Sequence, residues 1–298
     1  MTIERCDVEF ASDGEMCRGW YYRRLGQAAR PAIILTHGFS ATIDQGLDAF
    51  GRAFAEAGFA VLVFDYRDLG RSDGDERGRI LISRQHDDLR AALAWLSSED
   101  GVDPTRIALW GFSYSGGHSL FVGALDPRVA AIVAVAPALD ISASFRAHNS
   151  SARVRELLAF LAHEHDERNR GQSPARLNIV APAGETAVLA TPDAHDWFAR
   201  SPTPAWHPTT TAESVARMIE YRADIFLDLI APKPLLVLAG RRDALIPFSQ
   251  VNSAFSAGSA HIETKFFDCG HFDFMPGGDT HEAALALTTK WLSHALKP

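Results

Sequence analysis

Short apolar runs alternate along the chain with stretches in which apolar residues recur every three or four positions. Ala32–Thr36, Ala60–Phe64, Arg106–Trp110, Val129–Ala136, the LLVLAG run after Pro234 and Glu263–Phe267 read as strands. Leu47–Gly58 carries Phe50, Phe54 and Ala57 on one helical face, and Arg84–Ser98 carries Leu89, Leu93 and Leu96. Phe248–Phe255 and Glu282–Leu296 complete the helical pattern. At the start, Arg5–Phe10 and Cys17–Arg23 flank Ser12-Asp13-Gly14, which predicts an antiparallel hairpin at a sheet edge. Strands alternating with helices predict an α/β fold with a mostly parallel sheet flanked by helices.

The rhythm stops between about Ala138 and Ile230. That block has helical patterns, turns at Pro192, Pro202, Pro204 and Pro208, and no clear strand. The expected organisation is a core of residues 1–137 and 231–298, interrupted by a helical cap insertion over 138–230. An insertion at the carboxyl end of such a sheet covers the crevice where these folds bind ligands. The block is rich in large aromatics, and Trp197, Phe198, Trp206 and Phe145 are the candidates to line a substrate pocket. Others of these aromatics are expected to hold the cap's own helices together.

The strand ending at Trp110 runs straight into Gly111-Phe112-Ser113-Tyr114-Ser115-Gly116-Gly117. This is close to the Gly-x-Ser-x-Gly turn that forces a nucleophilic serine above a sheet. The second glycine is replaced by Ser115, which makes Ser115 a competing nucleophile. The strand end favours Ser113, because Gly111 is then the first residue of the turn. A serine hydroxyl needs a base, and the base needs an acid to fix its tautomer. After the sheet resumes, Asp243 follows one strand and His271 the next, in the order Ser, Asp, His expected of such a fold. Asp140 and Asp268 are the alternatives for the acid. A tetrahedral intermediate needs two N–H donors. The backbone of Tyr114 supplies one, and that of Phe39, in the loop His37-Gly38-Phe39-Ser40, the other. His37 is expected to brace that loop.

Composition narrows the partners. The 298 residues carry a formal charge of −8 and no basic run, which argues against nucleic acid. The first ten residues are too charged for a signal peptide, and the longest apolar stretch, Val129–Leu139, contains Pro137 and is too short to span a bilayer. A cytoplasmic protein without membrane contact is expected. Three cysteines match no metal or redox spacing; a Cys6–Cys17 bridge would require those positions to pair across the hairpin. His163 and His165, two apart, cannot share one helix face, so no metal is expected. Without a Gly-x-Gly-x-x-Gly turn, NAD is not expected either, and no cofactor is required.

These motifs resemble the α/β-hydrolase superfamily over essentially the whole chain. Thr36-His37-Gly38-Phe39 is similar to its oxyanion loop. Asp65-Tyr66-Arg67-Asp68-Leu69-Gly70-Arg71-Ser72 is similar to its D-x-R-x-x-G-x-S turn, with Asp68 where glycine or asparagine is usual. Trp110–His118, Asp126–Val129, Gly240–Pro247 and Cys269–Phe272 extend the match. Within the superfamily the chain looks most like the X-Pro dipeptidyl-peptidase-like and dienelactone-hydrolase-like branch, including fungal polyketide-transferase-type proteins, whose cap segment Thr191–Phe198 resembles. The resemblance implies a cofactor-free serine hydrolase acting through an acyl-enzyme on a small ester, lactone or thioester. Acyl transfer to another acceptor and a non-catalytic binding protein on the same fold are the alternatives. Neither the acyl group nor the oligomeric state follows from the sequence, and a homodimer stays open.

Overall fold

The computed structural model describes residues 3–24 and 29–297. Among these residues ten strands form: β1 (Ile3–Ser12), β2 (Glu15–Arg24), β3 (Arg30–Thr36), β4 (Ala60–Asp65), β5 (Val102–Phe112), β6 (Val129–Val135), β7 (Arg176–Asn178), β8 (Thr209–Thr211), β9 (Leu235–Gly240) and β10 (Ile262–Phe267). The helices are α1 (Leu47–Glu56), α2 (Ile82–Ser97), α3 (Tyr114–Leu125), α4 (Ile141–His148), α5 (Ser151–Asn169), α6 (Pro192–Arg200), α7 (Ala212–Ile219), α8 (Phe248–Phe255) and α9 (His281–Leu296).

Eight strands form one sheet in the order β1-β2-β4-β3-β5-β6-β9-β10. From β4 to β10 all neighbours are parallel, and β2 joins β4 antiparallel. The continuous apolar runs of β3, β4 and β9 are buried at every position, as parallel strands covered on both faces require. Helices α1 and α9 pack together on the sheet, as do α2 and α3. The β1–β2 hairpin turns on Asp13 (φ 45°) and Gly14 (φ 86°), the two left-handed residues of a tight type I′ turn. Its register sets Cys6 opposite Tyr21 and Cys17 opposite Phe10, so the two thiols do not meet and remain free.

The block expected to be an insertion lies between the adjacent strands β6 and β9. It carries α4 to α7 and, against the helical expectation, a small antiparallel sheet of β7 and β8, with Arg176 opposite Thr211. These strands are three residues long, polar and close to Pro174 and Pro208, too short for an alternating pattern to register. An isolated bridge between Asp140 and Arg222 closes the base of the insertion.

The turn after β4 accounts for its unusual residue. Asp68 has φ 66°, the left-handed region that glycine, asparagine and aspartate enter most easily. Its carboxylate accepts from the Glu76 N–H at 3.1 Å and lies 3.1 Å from Arg84. Nearby, buried Arg67 pairs with buried Asp88 at 2.6 Å and is further bound by Ser12 at 2.7 Å.

Candidate active site

Strand β5 ends on Phe112 and α3 begins at Tyr114, leaving Ser113 at the corner with φ 57° and ψ −115°. That conformation is costly for a non-glycine residue and persists because its surroundings hold it. The Ser113 N–H donates to the Val135 carbonyl at 2.8 Å, and the Ser113 carbonyl accepts from Ala138 at 3.0 Å and Gly117 at 3.2 Å. Gly111 is obligatory for the turn: a Cβ there would lie 2.0 Å from the Ser115 carbonyl oxygen.

The predicted base and acid come from the ends of the last two strands. The Ser113 Oγ lies 2.9 Å from His271 Nε2, and His271 Nδ1 lies 2.6 Å from Asp243 Oδ2. The other carboxylate oxygen of Asp243 accepts from the backbone N–H groups of Leu245 (2.9 Å) and Ile246 (2.8 Å). A carboxylate that accepts from Nδ1 fixes the proton there and leaves the Nε2 lone pair facing the serine hydroxyl, the arrangement a general base requires. His271 is 1% exposed, between the rings of Phe112 and Phe272, each 5.0 Å away. Of the alternatives, Asp140 caps α4 through the Ala143 N–H at 2.8 Å, and Asp268 pairs with Arg242 at 3.0 Å.

Phe39 and Tyr114 border the same cavity as Ser113. Tyr114 is the first residue of α3, so its N–H has no partner within the helix and stands at the positive end of the helix dipole. Ser115 is fully buried; its Oγ donates to the His37 carbonyl and bonds the Tyr66 hydroxyl at 3.0 Å, which removes it as a competing nucleophile.

The cavity has a volume of about 560 Å³. Its walls are largely apolar, with Leu157, Val188, Leu189, Val215, Met218 and Ile246 among the lining residues. One face of α4, bearing Ile141, Ser144, Phe145 and His148, runs along it. Because Ala138 is bonded to Ser113, α4 starts beside the nucleophile, and His148 lies about 10 Å further along its axis than Ile141. The far end is polar: Asn149, Arg153, Glu185 and Thr186 line it, with Arg153 bonded to the Thr186 hydroxyl at 3.1 Å.

Phe145 therefore lines the cavity, but Trp197, Phe198 and Trp206 do not. Trp197 stacks on Phe272 at 5.0 Å, Phe198 meets Trp197 edge-on at 4.8 Å, and Phe198 stacks on Trp206 at 4.9 Å. They fasten α6 to the turn after His271. Large aromatics satisfied one another first, and the pocket was left to aliphatic residues. The strap 184–191 and the inner face of α7 escaped the sequence reading. The strap carries no motif, but the spacing of Val215, Met218 and Ile219 is a legible apolar stripe.

The matching family model is that of the alpha/beta hydrolase fold, over residues 31–278. The chain belongs to the α/β-hydrolase family. It is 32% identical to the quorum-quenching protein AidA of Acinetobacter baumannii over 91% of this chain and 89% of that protein. It is 36% identical to the thiohydrolase apmlB of Arthrinium phaeospermum over 61% of this chain and 58% of that protein. The crystal structure of the alpha/beta hydrolase GrgF from Penicillium superposes with a TM-score of 0.85 at 26% identity, covering 99% of this chain and all (100%) of GrgF. As an α/β hydrolase with hydrolase and polyketide-transferase relatives, the chain has the ancestry of a hydrolase-type enzyme. No helix among the described residues is long and apolar enough to cross a membrane.

Proposed function

We propose that the protein is a serine hydrolase that forms an acyl-enzyme on Ser113, with His271 as general base and Asp243 as the acid that orients it. The supporting observation is the hydrogen-bonded series Asp243–His271–Ser113, which opens on an apolar cavity. His271 takes the hydroxyl proton as Oγ attacks the acyl carbon, and the N–H groups of Phe39 and Tyr114 receive the developing oxyanion. His271 then returns the proton to the leaving group, and water, activated by the same histidine, releases the acid.

The cavity fits a mid-sized acyl group with an apolar body, and its far end suits a chain that carries a polar atom there. The insertion acts as the cap that shapes it. Thioesters are the first substrates to test, because a relative bears the name thiohydrolase. Acyl transfer is the second reading, favoured by a polyketide transferase 34% identical over 60% of this chain. It shares every step up to the acyl-enzyme and differs in the acceptor. A fluorophosphonate probe should label the wild type and not Ser113→Ala, and a panel of p-nitrophenyl esters, lactones and acyl thioesters should find turnover. Adding alcohol, thiol or amine acceptors then separates transfer from hydrolysis. An unlabelled wild type with no turnover would refute the enzyme reading and leave a binding protein on this fold.

A further inference from the structure

At the nucleophile corner Ser115 stands where the motif usually has glycine, and its hydroxyl is spent within the protein. The hydroxyl donates to the carbonyl of His37, and the Tyr66 O–H donates to it in turn at 3.0 Å. Both residues are buried, and the Tyr66 ring meets the His37 ring edge-on at 5.2 Å. The imidazole of His37 continues the series. Its Nδ1 lies 3.0 Å from the Gly38 carbonyl, and because a carbonyl only accepts, Nδ1 carries the proton. The Ala41 N–H donates to the same carbonyl at 3.2 Å. The Gly38 carbonyl and the Phe39 N–H belong to one planar peptide, so they point in opposite directions. Holding that carbonyl from behind fixes where the Phe39 N–H points.

We infer that Ser115, Tyr66 and His37 are positioning residues for the oxyanion hole: a hydrogen-bonded chain from α3 to the β3–α1 loop that sets the direction of the Phe39 N–H relative to Ser113. The inference rests on the serine-hydrolase reading. A glycine at 115 would remove the side-chain hydrogen bond from the corner to the His37 carbonyl, so the hydroxyl adds a directional contact there. Burial holds His37 neutral, with its pKa down to about 4, so at neutral pH its one N–H stays committed to Gly38.

The test compares Ser115→Gly, Tyr66→Phe and the double variant with the wild type. The readouts are kcat and KM on a p-nitrophenyl ester, the inhibition constant of an alkyl trifluoromethyl ketone, and melting temperature. The ketone's adduct places an oxyanion in the hole. Outright loss of one oxyanion donor costs about 100-fold or more in kcat, so a misdirected donor should cost about tenfold. The expected result is a tenfold fall in kcat at unchanged KM, and an equal rise in the ketone's inhibition constant. The double variant should be no worse than the worse single one, because both act on one chain. Tyr66→Phe removes one atom and remains informative if Ser115→Gly folds poorly. Unchanged kcat and ketone affinity with a lower melting temperature would overturn the inference, as would additive effects. Labelling of wild-type Ser113 by a fluorophosphonate checks the hydrolase reading separately, because this inference concerns only the ratio of variant to wild type.

Discussion

Asp243 makes three hydrogen bonds, two from backbone N–H groups and one from His271. The backbone bonds lock the carboxylate so that its remaining oxygen can meet only Nδ1. Asp243→Asn keeps the shape but can present an N–H to that nitrogen, which stabilises the wrong tautomer. The expected fall in kcat is about 10⁴-fold with little change in melting temperature, measured on the best ester of the panel. A second residue-scale prediction concerns His86 on α2 and His118 on α3, whose nitrogens Nε2 and Nδ1 are 3.0 Å apart, with Gln85 and the Tyr221 hydroxyl as further partners. Burial pushes the His86 pKa down to about 3 and that of His118 well below its usual value. The unfolded chain therefore binds protons below about pH 6.5 that the folded protein refuses. The stability this network supplies is complete above that pH and is lost as the pH falls towards about 3. Buried Asp65, its pKa raised to about 6, has the opposite sign, so the comparison is made within one variant series. Urea midpoints between pH 7.5 and 5 should fall less steeply for His86→Leu than for the wild type.

Among the elements, α7 separates two cavities. Val215, Met218 and Ile219 face the one that contains Ser113, while Glu213, Arg217 and Glu220 border a second of about 460 Å³. Val215→Phe should therefore shorten the acyl chains accepted, lowering kcat/KM for octanoyl more than for acetyl p-nitrophenyl ester. Helix α6 should behave differently. Trp197→Ala removes a buried ring stacked on Phe272 and should cost about 3–5 kcal/mol, read as a lower urea midpoint, with the order of acyl preference unchanged. The central elements of the core were legible because β3, β4 and β9 bury a continuous run and α1 and α2 one helical stripe. That Ser113, Asp243 and His271 come together was legible because each follows a strand end. Beyond Phe145, most of the cavity wall was not read from the sequence, since it depends on which side chains of the segment between β6 and β9 pair with one another. The sequence shows that Trp197 and Phe198 are large and apolar; only packing shows that Phe272 and Trp206 claim them. Strands β7 and β8 were lost for another reason: at three residues each they are too short for an alternating pattern to show.

For the molecule as a whole, the cavity lies between the strand ends that carry Ser113, Asp243 and His271 and the segment between β6 and β9, which supplies most of its walls. The polar end belongs entirely to the insertion, where Arg153 reaches from α5 to Thr186 on the strap. Arg153→Met should reduce kcat/KM for ω-hydroxyacyl thioesters about tenfold, the worth of about one hydrogen bond to a charged group, and leave plain acyl chains of equal length nearly unaffected. Equal loss on both substrate series would show that Arg153 serves only to hold the strap.

The insertion departs from β6 and re-enters at β9, and these strands are neighbours in the sheet. Its two ends therefore start side by side, joined at the base by the Asp140–Arg222 bridge. A segment attached in this way behaves as a cassette. Changing its length between those two ends alters no strand register, provided that Ala138, bonded to Ser113, and Trp197, stacked on Phe272, keep their contacts. One chemical engine can then be refitted for a new acyl group by recombination at two adjacent points, without the many coordinated substitutions that remodelling the core would demand.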